Sequence, residues 1–242
     1  MSLQSLGIDF GTRNTRLAVW DGSPKSLPLG EGKISVPTCI VPYNGEWLYG
    51  AMARQAYEAG EGGAINLRQD LQYTSLAHEE KEQSAQEIFL REWLVYILKE
   101  AEYRLRHSEF AIAITVPYLF YKQARNTLFR AAAQTGVEKV MLVHEPLAGI
   151  AGWLSRITPS PQTQKIVLLT VGAGFTEAVA AHISFGEIRI ISAGSAPGWN
   201  GDHCDMLIGD SLLEHLMKNG VITDQMEMRE QIPFLASVER AR

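Results

Sequence analysis

The alternation of apolar and polar positions predicts strands at both ends of the chain and helices between them. Leu6–Phe10 reads as a strand, Gly11 to Asn14 as a turn, and Thr15–Trp20 as a returning strand. After a turn at Asp21–Lys25, short β-rich pieces surround Pro37, Pro42 and an Asn44-Gly45 hairpin signal. Gly60–Ala64 is a loop, and Glu79–His107 turns helical. Within it Leu90, Leu94, Ile97, Ala101 and Leu105 mark one face, which Phe89, Trp93 and Tyr96 broaden into a core-packing stripe.

Phe110–Pro117 is a buried strand ended by proline, followed by a helix over about 122–135 with Gly136 as its stop. Glu138–His144 is the next strand, and Pro146 opens a helix whose Ala148, Gly149, Ala151 and Gly152 favour close packing. Thr158–Gln164 has linker composition. Beyond it Lys165–Val171, Glu177–Phe185 and Glu187–Ala193 read as strands, with a helix over about 202–218. This is a mixed α/β order, and the return of the opening hairpin after the linker predicts two related lobes.

Composition narrows the class only modestly. The 242 residues suffice for one large domain or two modest ones, and 46% hydrophobic with 20% charged residues is ordinary for a globular protein. A net charge of −5 argues against a general nucleic-acid or anionic-membrane binder, though a local basic patch stays open. Cys39 and Cys204 lie far apart and read as reduced structural thiols; His203 beside Cys204 does not make a metal site. With no signal segment and no apolar run of about 20 residues, a cytoplasmic protein without membrane partners is expected.

The chemistry lies in the turns. Backbone N–H groups in a tight glycine turn can cradle phosphate, and Thr12 adds a hydroxyl. Asp9 could orient water on a magnesium ion bridging phosphates. An acid and a glycine at a strand end also occur in plain structural hairpins, so both readings stand. The second turn, "LLTVGAGFTE" over residues 168–177, has Thr170 where the first has Asp9.

The block from Phe110 to Trp153 resembles the heat shock protein 70 (DnaK-type) family. The resemblance rests on Val116-Pro117, Gln123, Arg125, Ala131-Ala132, Gly136 and His144-Glu145-Pro146-Leu147-Ala148. The opening "GIDFGTRNT" is similar to that family's first phosphate loop, and the likeness runs with gaps from about Gly7 onward. It implies an actin-like, ribonuclease-H-like ATPase fold with two lobes closing over ATP or ADP and magnesium. The first lobe would span 1–160, with an inserted subdomain at about 34–107, and the second would begin at 165–242.

The resemblance also implies site roles. Asp9 matches the metal side, and Gly11, Thr12, Arg13 and Asn14 the first phosphate loop. Gly172, Ala173 and Gly174 match the second loop and Gly201 part of a third. Glu145 and Glu177 match acids of the family. The alternative for Glu145 is a helix-start charge stabilised by the dipole. Arg68 stands nearest the family's catalytic lysine, as a phosphate clamp or as an ordinary surface residue.

Departures from the pattern are Thr170 for an aspartate, Phe175 for a threonine, and the bulky Trp199-Asn200 before Gly201. They put hydrolysis at risk and predict that phosphate affinity outlasts catalysis. His203 and Asp205 read as helix-start residues. The chain ends where the family's second lobe has only begun, so it is expected to be a piece of a longer protein or a short relative. Clients and co-chaperones would act through the part beyond. A nucleotide-insensitive interaction module on the same fold is the alternative, and a small-metabolite kinase ranks last.

Overall fold

Alternating burial along the first strand sets the register of everything that follows. In the computed structural model, which describes residues 3–64, 66–74 (backbone alone for 72–74), 85–157, 162–196, 198–221, 234 and 236–239, Leu6, Ile8 and Phe10 of β1 (Gln4–Phe10) are buried. β2 (Asn14–Trp20) answers with Thr15, Leu17 and Val19. β3 (Pro24–Leu27) and the short β4 (Val36–Pro37) follow, then a hairpin of β5 (Ile40–Tyr43) and β6 (Glu46–Tyr49). Asn44 and Gly45 at its tip have φ of 51° and 81°, the left-handed pair that a tight hairpin turn needs.

Three helices come next: α1 (Gly50–Glu58), α2 (Leu67–Thr74) and α3 (Ala85–Leu105). β7 (Phe110–Val116), α4 (Lys122–Ala133), β8 (Lys139–His144) and α5 (Glu145–Leu154) form alternating units. The chain continues through β9 (Gln164–Val171), β10 (Thr176–Ser184), β11 (Glu187–Ser195) and α6 (Gly201–Lys218).

The first eight strands, apart from the β5–β6 hairpin, build a mixed six-stranded sheet. Its order is β3-β2-β1-β7-β8, with β4 also paired to β2. β1 is antiparallel to β2 but parallel to β7, which is parallel to β8. Leu90, Trp93, Leu94 and Ile97 of α3 are fully buried in the core of this sheet, each contributing about 1.5–3 kcal/mol. The stripe predicted for α3 is therefore its core face, although Leu105 is only partly buried.

β9, β10 and β11 make a separate antiparallel sheet in the order β11-β10-β9. α5 bridges the two sheets: it starts at the end of β8, and its Ile150 packs with Ala181 and Ile183 of β10. A side chain on Gly149 would sit 3.2 Å from Leu168, so the small residues of α5 do serve close packing.

Several boundaries move. Ladder pairing Trp20↔Pro24 takes Pro24 and Lys25 out of the predicted turn, because an antiparallel partner was available to that segment. The predicted helical entry at 79–84 and the linker residues 158–161 lie outside the described residues.

Candidate functional site

The two glycine turns are the same device built twice. In the first, Gly11 N–H donates to the Asn14 carbonyl at 3.1 Å, beyond the Phe10↔Thr15 pair. In the second, Gly172 N–H donates to the Phe175 carbonyl at 2.8 Å, beyond Val171↔Thr176. The shared register makes Asp9 equivalent to Thr170 and Arg16 equivalent to Glu177.

Glycine is required here by close approach rather than by positive φ, which neither Gly11 nor Gly172 adopts. A Cβ on Gly11 would lie 2.4 Å from the Asn14 carbonyl oxygen. One on Gly174 would lie 2.8 Å from Thr12 Oγ1, which shows that the two turns abut each other. The backbone N–H groups of Thr12, Arg13 and Ala173 make no hydrogen bond to the described residues. Such unpaired amides in consecutive turn positions are an anion-binding feature.

Between the turns lies a cleft of about 310 Å³. Of the residues singled out in the sequence, Asp9, Gly11, Thr12, Arg13, Asn14, Arg68, Glu145, Gly172 and Ala173 line it. Thr170, Phe175 and Arg16 line it too. Arg16 was missed, yet the signal was present: a two-residue hairpin loop puts it directly across from Asp9.

Arg68 is not a surface residue. It is 5% exposed at the start of α2 and pairs with Glu145 at the start of α5. It also donates to the Phe10 carbonyl at 2.9 Å and lies 5.1 Å from the centroid of the Phe175 ring. Phe175 therefore serves as the platform that holds the guanidinium. Arg68 Nε is buried without a hydrogen-bond partner among the described residues. Burial pushes the Glu145 carboxyl above its ordinary value; Arg68 pulls it back, while Asp9 and Glu177 add repulsion.

Three predicted site residues lie outside the cleft lining. The buried Glu177 carboxylate accepts the backbone N–H groups of Tyr118 and Leu119, each at 3.0 Å. It ties β10 to the turn after β7. Gly174 is the contact point with Thr12. Gly201 donates its N–H to the Gly172 carbonyl at 3.0 Å, and Asp202 donates to Ala173 at 2.9 Å. The first turn of α6 thus braces the second loop from behind, with those amides already used.

The expected narrowing by Trp199-Asn200 is corrected as well. Trp199 is 79% exposed and away from the cleft lining, and Asn200 is the N-cap of α6, accepting from His203 N–H at 2.9 Å. His203 sits in the first turn of α6, as expected; Asp205, one turn in, is buried against a second cavity of about 310 Å³. Arg13 lines both cavities and pairs with Asp202 at 2.8 Å.

The donor set does not fit a directly held magnesium ion. Asp9 Oδ2 is paired with Arg16 at 3.0 Å, and its Oδ1 accepts from Thr115 at 3.4 Å. Glu145 is paired with Arg68, and Thr170 brings no charge. Each carboxylate's charge is offset by the guanidinium paired with it, so the lining presents no net negative charge to a further cation. Among the described residues no group of three or more His, Cys, Asp or Glu side chains is placed to hold a metal. Nor is any described helix long and apolar enough to cross a membrane.

No family model matches the chain. It is 25% identical over 228 residues to the chaperone protein DnaK of Metamycoplasma hominis, covering 92% of this chain and 38% of that protein. It is 25% identical over 240 residues to the chaperone protein DnaK of Mycoplasmopsis agalactiae, covering 98% and 40%. The chain spans about two fifths of the length of these curated relatives. Almost its whole length is thus distantly related to chaperones of the heat shock protein 70 type.

Proposed function

We propose that this chain is the nucleotide-binding portion of a heat shock protein 70-like chaperone ATPase, with an actin-like, two-lobed fold. The first lobe takes residues 1–160, including the inserted subdomain at about 34–107, and the second begins at 165–242. One observation carries the reading: two hairpin turns with the same closing bond abut at Thr12 and Gly174, and unpaired amides at Thr12, Arg13 and Ala173 line the cleft. ATP or ADP would lodge its phosphates there, and the neighbouring cavity beyond Arg13, bordered by Tyr57 and Met206, has room for the nucleoside.

Hydrolysis is weak in this reading. The Arg68 guanidinium beside Glu145 lowers the basicity of that carboxylate, and Glu177 already accepts two N–H bonds outside the cleft lining. No step is assigned to magnesium, because the cleft residues do not fit a directly held ion.

Isothermal titration of the full chain with ADP and ATP tests the reading. Saturable binding to both, lost on Gly174→Val, with turnover far slower than release, is the expected result. Absence of binding to either nucleotide refutes it and leaves a nucleotide-insensitive interaction module on this fold.

A further inference from the structure

We propose that the cleft binds polyphosphate without a divalent metal, with the guanidinium groups of Arg16 and Arg68 supplying the positive charge that a cation would otherwise provide. The inference rests on the nucleotide-phosphate reading and names what neutralises the ligand.

Three observations converge. First, each acid that lines the cleft already has its own arginine: Asp9 has Arg16, and Glu145 has Arg68. Arg13, a third lining arginine, is paired with Asp202 behind the cleft, so the two acids of the lining are fully offset before any ligand arrives. Second, no further acid among the described residues lines the cleft. Thr170 stands at the position equivalent to Asp9, and the Glu177 carboxylate is taken up by the Tyr118 and Leu119 amides. Third, the two arginines differ in a way that suits anion capture.

Arg68 is immobilised by Phe175, the Phe10 carbonyl and Glu145, and its Nε–H still lacks a partner among the described residues. It is a preorganised charge whose ordering cost is met at folding. Arg16 is half exposed, as is its partner Asp9, and a pair that open to water contributes little to stability. Arg16 can therefore leave Asp9 for an arriving phosphate. The planar fork of a guanidinium suits two phosphate oxygens at once, with the turn amides of Thr12, Arg13 and Ala173 as further donors.

The two modes of neutralisation give opposite signs on one substitution. If the cleft needs a metal, Arg16→Gln frees Asp9 and strengthens binding in magnesium. If arginine provides the charge, the same substitution weakens binding with or without metal. Arg16 lies on the exposed face of β2, so the variant is expected to fold, which circular dichroism verifies.

The experiment titrates the full chain with ADP and, separately, with inorganic pyrophosphate, each in excess magnesium and in EDTA. Expected are affinities that agree within about threefold between the two buffers, and a loss of about tenfold for Arg16→Gln in both. An affinity that collapses in EDTA, or an Arg16→Gln variant that binds more tightly in magnesium, overturns the inference while leaving the nucleotide-binding reading intact. No binding of either ligand in either buffer overturns both.

Discussion

Replacing Arg68 with methionine should expose how much of the cleft is held by one buried ion pair. The substitution keeps a long apolar side chain against Phe175 but leaves the largely buried Glu145 carboxylate without its counterion. Breaking one side of a buried pair costs about 3–5 kcal/mol. The lost hydrogen bond to the Phe10 carbonyl adds about 1 kcal/mol. A total of about 4–6 kcal/mol is a large share of the roughly 5–15 kcal/mol typical of a folded domain. In a chain of this size it should lower the melting temperature by roughly 10 °C or more.

The pH dependence has a definite sign. Burial already raises the Glu145 carboxyl above its ordinary 4.5, and Arg68 supplies the main lowering influence. Without Arg68 the folded-state value climbs further. A raised carboxyl contributes stability that is fully present below the unfolded value and is lost as pH rises through the folded value. The deficit of Arg68→Met should therefore be larger at pH 7 than at pH 5, because acidification favours the neutral form of the Glu145 carboxyl. Urea denaturation followed by circular dichroism measures it at both pH values. Adding Glu145→Gln to Arg68→Met should recover most of the neutral-pH loss. A deficit below about 1 kcal/mol, one that grows on acidification, or a double variant no more stable than the single would each refute the reasoning.

Gly174→Ala should cost about 1–3 kcal/mol in urea denaturation and weaken ADP binding, because the new methyl group lies 2.8–3.1 Å from Thr12 and Gln69 atoms. Glu177→Gln removes a charge-assisted acceptor from the Tyr118 and Leu119 amides and should lower stability by about 1.5–3 kcal/mol; a neutral outcome by the same assay would deny that tie. Burial pushes the Cys39 thiol up to about 12, so alkylation of the native protein followed by mass spectrometry should label the exposed Cys204 and spare Cys39.

Local pattern made much of the architecture legible. Period-2 alternation located β1 and β2, an apolar run ended by Pro117 located β7, and the 3.6-residue stripe of Leu90, Leu94, Ile97 and Ala101 located the buried face of α3. Asn44-Gly45 and Gly136 marked a hairpin and a helix stop where the backbone does turn left-handed. In the site, the turn glycines and the helix-start acid Glu145 were visible because each answers a local geometric need.

Partner choice was not visible. Arg68 and Glu145 are 77 positions apart and meet only because α2 and α5 converge on the end of β1. Glu177 resembles a catalytic acid in sequence, yet its neighbour is the turn at Tyr118, set by how the second sheet docks on the first. Phe175, a departure from the expected pattern, became a support for Arg68.

The chain by itself determined where its strands, helices and glycine turns lie, since backbone conformation and periodic burial are properties of neighbouring residues. Tertiary structure alone decided which charges meet across the cleft. A carboxylate's chemistry depends on the groups within a few ångströms of it, and residues 77 positions apart reach that range only through the packing of sheets and helices.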